Sequence, residues 1–60
     1  MNSEQELISK GREAFARRDW KTCLDSYNEA IRLNPQSEAV QLREMTMQIV
    51  EFYNKDQFNP

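Results

Sequence analysis

Gly11-Arg12-Glu13-Ala14-Phe15-Ala16-Arg17-Arg18-Asp19-Trp20-Lys21-Thr22-Cys23-Leu24-Asp25-Ser26-Tyr27-Asn28-Glu29-Ala30-Ile31-Arg32-Leu33-Asn34-Pro35 holds two helical patterns with one break between them. Gly11, Ala14 and Phe15 precede the break at Arg18-Asp19; Trp20, Cys23, Leu24, Tyr27, Ala30 and Ile31 follow it, and Pro35 closes the second run. Recurrence at three- and four-residue intervals places such groups on one face of a helix, so the segment predicts two amphipathic helices meeting at a tight turn. Gly11 inside the first helix costs roughly 1 kcal/mol relative to Ala. Close approach of the partner helix is the usual compensation. Ala30 offers a matching small surface, so Gly11 is expected to face Ala30 or its neighbours, with Phe15, Trp20 and Tyr27 filling the space around them. The expected unit is an antiparallel helical hairpin packed small against large.

Outward from this hairpin, length and composition narrow the class. Sixty residues make one small domain, whose single core supplies only ~3–5 kcal/mol. The 38% hydrophobic and 30% charged content, with one Gly and two Pro, is that of a soluble helical protein. A formal charge of −2 favours neither a nucleic-acid nor an anionic-membrane partner. No apolar run is long enough for a membrane helix. The polar, acidic opening Met1-Asn2-Ser3-Glu4-Gln5-Glu6 is unlike a signal peptide. The lone Cys23 has no partner for an internal disulfide, which fits a reducing, cytoplasmic setting.

The first helix is expected over about 4–18. Ser3 and Glu6 have capping-box spacing, Leu7 and Ile8 extend the apolar stripe, and Arg17 and Arg18 complement the dipole at its end. Glu6–Lys10 and Glu13–Arg17 are in the favourable order for exposed i,i+4 pairs. Asp19 is the expected N-cap of the second helix, over about 19–33. A third helix begins after either Asn34 or Ser37 and extends over about 37–54. Leu42, Met45, Ile49, Phe52 and Tyr53 share the side expected to meet the hairpin. Glu51–Lys55 adds one more well-ordered pair, and residues 55–60 are expected to fray.

The hairpin resembles a tetratricopeptide repeat, a helical pair of about 34 residues. The resemblance runs from Glu4 to Ser37. Gly11 stands on the family glycine, Phe15 on an aromatic-favoured site beside it, and Asp19-Trp20 on its turn residue and following aromatic. Tyr27, Ala30 and Pro35 stand on the family's aromatic, alanine and proline. The chain departs from the pattern where Leu7 replaces Trp, Lys10 replaces Leu, Ala14 replaces an aromatic, Arg18 replaces a turn glycine and Cys23 replaces Ala. The third helix is not a faithful copy of a first helix, since Met45 takes the glycine site and Glu44 a leucine site. The resemblance therefore implies an all-α fold of one hairpin plus a third, C-terminal capping helix. It also implies a role in protein–protein interaction.

In the family, the outward face of each first helix lines a concave binding surface. By position that face here is Gln5, Ile8, Arg12, Phe15 and Ala16. Some members clamp a peptide carboxylate with Lys and Asn at two of these sites; Ile8 and Arg12 stand there in this chain. The basic residues Arg12, Arg17, Arg18 and Lys21 could receive an acidic peptide, or could serve only the helix ends and solubility. Val40 and Met47 lie off the expected core stripe of the third helix, and Val50 lies between them and the stripe. The three form a candidate association patch, which keeps a self-associating unit, a homodimer, open as the alternative to a peptide- or protein-binding module.

Other classes have less support. The chain has no His, the commonest general base and metal ligand, and neither a glycine-rich phosphate loop nor a Cys pair. Cys23 falls on the apolar stripe, where packing is the simpler role. No enzyme activity, cofactor or metal is expected. A helix-turn-helix DNA reader needs a basic second helix, whereas this one presents Asp25 and Glu29.

Overall fold

In the computed structural model, which describes the backbone of residues 3–58 and the side chains of residues 3–52, the chain is all-α. Three helices follow one another: α1 (Ser3–Ala16), α2 (Trp20–Leu33) and α3 (Ala39–Phe58). α2 is central, packed extensively on α1 and less extensively on α3. The molecule measures 46 × 21 × 12 Å. Ile8, Ala14, Cys23, Tyr27, Ala30 and Ala39 form the buried core, with Leu7, Phe15, Ile31 and Leu42 packed around it.

Gly11 is buried, and the group that needs its missing side chain is Tyr27. A Cβ built on Gly11 would lie 2.7 Å from Tyr27 Cδ1 and closer still to Cε1. Tyr27 stands one helical turn before Ala30, so the close crossing occurs against an aromatic face rather than against the alanine. The ring is only 2% exposed and has little room to swing away. At the open end of the hairpin, Asn34 Nδ2 donates to Glu4 Oε1 at 3.2 Å, tying the end of α2 to the start of α1.

The turn between α1 and α2 is set by backbone geometry. Arg18 N–H donates to Phe15 O at 2.9 Å and Asp19 N–H to Ala14 O at 2.8 Å. This pair of bonds is a Schellman motif, which satisfies the last carbonyls of a helix and requires a left-handed residue next to its end. Arg18 occupies that position at φ 61°. The conformation costs a non-glycine residue roughly 1–2 kcal/mol. Arg18→Gly should therefore raise stability by about 1 kcal/mol, less the greater entropy glycine carries when unfolded. That corresponds to a rise of a few degrees in melting temperature. Thermal circular dichroism checks this, and an unchanged or lower midpoint would show that the turn stores no strain. Asp19 then caps α2: its Oδ1 accepts from Thr22 N–H at 3.3 Å, and its carbonyl accepts from Cys23 N–H at 3.0 Å.

Several expectations are corrected at the helix ends. α1 already includes Ser3, so Ser3 stands inside the helix rather than as its N-cap, and the residues before it lie outside the described residues. Arg17 and Arg18 belong to the turn rather than to α1. Of the two possible starts for α3, the later one is found. Asn34 closes α2, and its Oδ1 accepts from Gln36 N–H at 3.1 Å. Ser37 Oγ then accepts from Ala39 N–H at 3.1 Å at the head of α3. α3 continues to Phe58, past the expected end at Asn54, since no Gly or Pro interrupts the chain before Pro60. Asn59 and Pro60 lie outside the described residues, as does the side chain of Lys55 in the expected Glu51–Lys55 pair. Arg12–Glu38 at 3.7 Å and Glu29–Arg32 at 3.5 Å are ion pairs of the described residues. Glu6–Lys10 and Glu13–Arg17 are not drawn together, in keeping with the small worth of exposed pairs.

The largest correction concerns the face of α3. Ala39 and Thr46 are buried against the hairpin, whereas Met45 is 57% and Phe52 67% exposed. Leu42 and Ile49 are half-buried at the edge of the contact, and the side chain of Tyr53 is outside the described residues. α3 is thus turned by about one residue, roughly 100°, from the expected orientation. Small side chains let it approach the small α2 residue Cys23. Thr46 is accommodated because its hydroxyl donates to Leu42 O at 2.8 Å and lies 3.8 Å from Cys23 Sγ. Arg43 Nη1 donates to Asn28 Oδ1 at 2.8 Å beside this contact.

Candidate functional site

The rotation of α3 opens a groove between α1 and α3, floored by α2. Arg12 and Phe15 form one wall, Tyr27 the floor, and Leu42, Met45 and Thr46 the other wall, around about 150 Å³. The Phe15 position is fixed by Trp20, whose ring meets it edge-to-face with centroids 5.3 Å apart. Arg12 stands at the rim, 3.7 Å from Glu38, and both side chains are largely exposed. The lining is predominantly apolar, with one guanidinium at its edge.

Of the five residues expected on the exposed face of the first helix, the structure brings Arg12 and Phe15 to this groove. Ile8 is in the core at 5% exposure rather than on the exposed face. Gln5 and Ala16 are exposed but do not line the groove. Val40 and Val50 are half-buried and Met47 is 40% exposed. Val40 borders a separate shallow depression with Pro35, Gln36, Ser37, Glu38 and Gln41. The basic residues also diverge: Arg12 is turned to Glu38, while Arg17 and Arg18 stand exposed in the turn and Lys21 on α2. Tyr27, Leu42, Met45 and Thr46 are the groove residues that sequence reasoning did not assign to a surface. The signal for Leu42 and Met45 pointed to the core, and Thr46, a polar residue within the stripe, carried none.

Burial pushes the Tyr27 hydroxyl up from its ordinary value of 10.0 to about 12, with the neighbouring Cys23 acting in the same direction. The phenol is neutral at physiological pH and serves as floor rather than as a base. Its proton is linked to folding. Below pH 10 the folded and unfolded chains both keep it, and the contribution to stability is complete. Between pH 10 and about 12 the unfolded chain loses the proton while the folded chain retains it, so stability falls as pH rises. The loss reaches roughly 2–3 kcal/mol by the top of that window. Alkaline unfolding should begin above pH 10, with tyrosinate absorbance rising together with loss of helix. Tyrosinate appearing fully while the helix signal is intact would contradict this burial. Cys23 itself is wholly buried beside Thr46 and is not offered to a reagent or substrate.

Among the described residues, no group of three or more His, Cys, Asp or Glu is placed to hold a metal ion. No helix of the described residues is long and apolar enough to cross a membrane. No protein-family model matches the chain, and no curated protein or solved structure is significantly similar to it.

Proposed function

We propose that this chain is a tetratricopeptide-like protein-interaction module, with α1 and α2 as its repeat and α3 as its cap. The groove between α1 and α3 holds an apolar side chain of a protein or peptide partner. The observation that carries the reading is the groove itself: an apolar recess walled by Phe15 and Leu42, with Met45 exposed at its lip and Arg12 at its rim. Interfaces concentrate affinity where an aromatic or aliphatic anchor fills such a recess, and Met and Arg are enriched around them. The role is binding without a chemical step, consistent with a chain that has no His and a Cys23 that is fully covered. A reducing cytoplasm suits that thiol.

Selection from a random peptide library tests the reading. Peptides retained by the chain should share one apolar or aromatic anchor. Met45→Glu, a change at an exposed position, should weaken them about tenfold or more without unfolding the protein. Peptides that bind Met45→Glu as well as the native chain would place the binding surface elsewhere.

A further inference from the structure

The geometry points to a specific occupant: we infer that the groove receives the ring of Phe52 from a second copy of this chain, in a two-fold symmetric pair. This rests on the groove being a binding site and names what fills it.

Size is the first reason. A dry apolar cavity of about 150 Å³ holds one benzene ring, and small-molecule sites are larger, roughly 300–1,000 Å³. The groove, at about 150 Å³, is therefore matched to a single aromatic side chain. Its chemistry agrees: the Phe15 and Tyr27 rings line it, and the Arg12 guanidinium at the rim can lie over an incoming aromatic face.

The source of the ring is the same helix that forms the groove wall. Phe52 is 67% exposed and follows Met45 by two turns of α3, about 10 Å along the same face. Two α3 helices running antiparallel, crossing midway between these residues, set each Phe52 level with the other's Met45. Each ring then stands over the other's groove, and one patch serves as both donor and acceptor, the self-complementary arrangement of a two-fold dimer.

The area sets the strength. A buried aromatic contributes roughly 150–250 Å². Two rings and the walls that receive them give on the order of 600–1,000 Å² in total, at or below the low end of specific interfaces. The pair is a weak, reversible dimer. On the opposite flank Val40 and Val50 are half-buried, so less apolar surface stands open there than at Phe52.

Sedimentation equilibrium of the full chain from micromolar to millimolar concentration tests this, with Phe52→Asp and Met47→Glu alongside the native protein. The expected result is a native monomer–dimer equilibrium, Phe52→Asp monomeric throughout, and Met47→Glu dimerising as the native chain does. A native chain that is monomeric at millimolar concentration, or a Phe52→Asp variant that still dimerises, overturns the inference. Titrating monomeric Phe52→Asp with N-acetylphenylalanine amide, followed through the backbone amides of Leu42 to Thr46, separates the two levels. Saturable shifts there leave the groove a binding site even if the second copy is not its occupant. An absence of shifts removes the groove reading, and the inference with it.

Discussion

Gly11→Leu should leave the protein largely unfolded at 25 °C. Even the first carbon of a new side chain would fall within 2.7 Å of Tyr27 Cδ1. The ring is held between helices at 2% exposure, so relief requires α1 and α2 to separate. Overpacking of this kind costs ~1–3 kcal/mol for modest additions, and leucine adds a branched chain to a site that lacks room for a methyl group. The whole domain has only ~3–5 kcal/mol available. Gly11→Ala is the graded version. Its better helix propensity returns about 1 kcal/mol, leaving a net loss of about 1–2 kcal/mol and a melting temperature lower by roughly 5–15 °C. Circular dichroism melts measure both. A leucine variant that melts with the native protein would mean that Tyr27 does not rest on Gly11.

Ending the chain after Pro35 should have an effect of similar size. Cys23 and Ala30 are wholly covered in the intact protein, and Thr46 of α3 lies on Cys23. Without α3 the outer face of α2 is open to water, and α1 with α2 alone is too small to bury a sufficient core. The fragment should be unfolded or aggregated, with little helical signal at 222 nm. A monomeric fragment that melts cooperatively would show that α3 is dispensable to the fold.

The hairpin was legible because its signals are local and agree with one another. Asp19 has the chemistry of an N-cap and acts as one; the apolar residues of α2 keep helical spacing; and a mid-helix glycine announces a close contact. The identity of that contact was less visible, since Tyr27 and Ala30 both lie on the inward face and a one-dimensional pattern does not rank them. α3 was misread for a physical reason. Leu42, Met45, Ile49 and Phe52 have the spacing of a core stripe, and Thr46 and Ala39 are poor in apolar area. Packing favoured the small residues because close approach to Cys23 outweighs the area of Met45, and the Thr46 hydroxyl is satisfied within its own helix.

That one-residue rotation also decides the candidate site. It turns Met45 and Phe52 outward and gives the groove its second wall. Ile8 shows the converse. A position carried over from a family pattern as exposed is drawn inward here, to 5% exposure. Arg12 and Phe15, which the same pattern places on the exposed face, lie on the flank of α1 that borders the groove.

The most direct test uses the methionine methyl groups. The chain has three methionines, Met1, Met45 and Met47, so a methyl-labelled spectrum carries three methionine signals. On titration with a peptide selected by the intact chain, the Met45 signal should move saturably and the Met47 signal should stay in place. Movement of Met47 with Met45 unaffected would put the partner on the opposite flank of α3 and contradict the groove as the binding site.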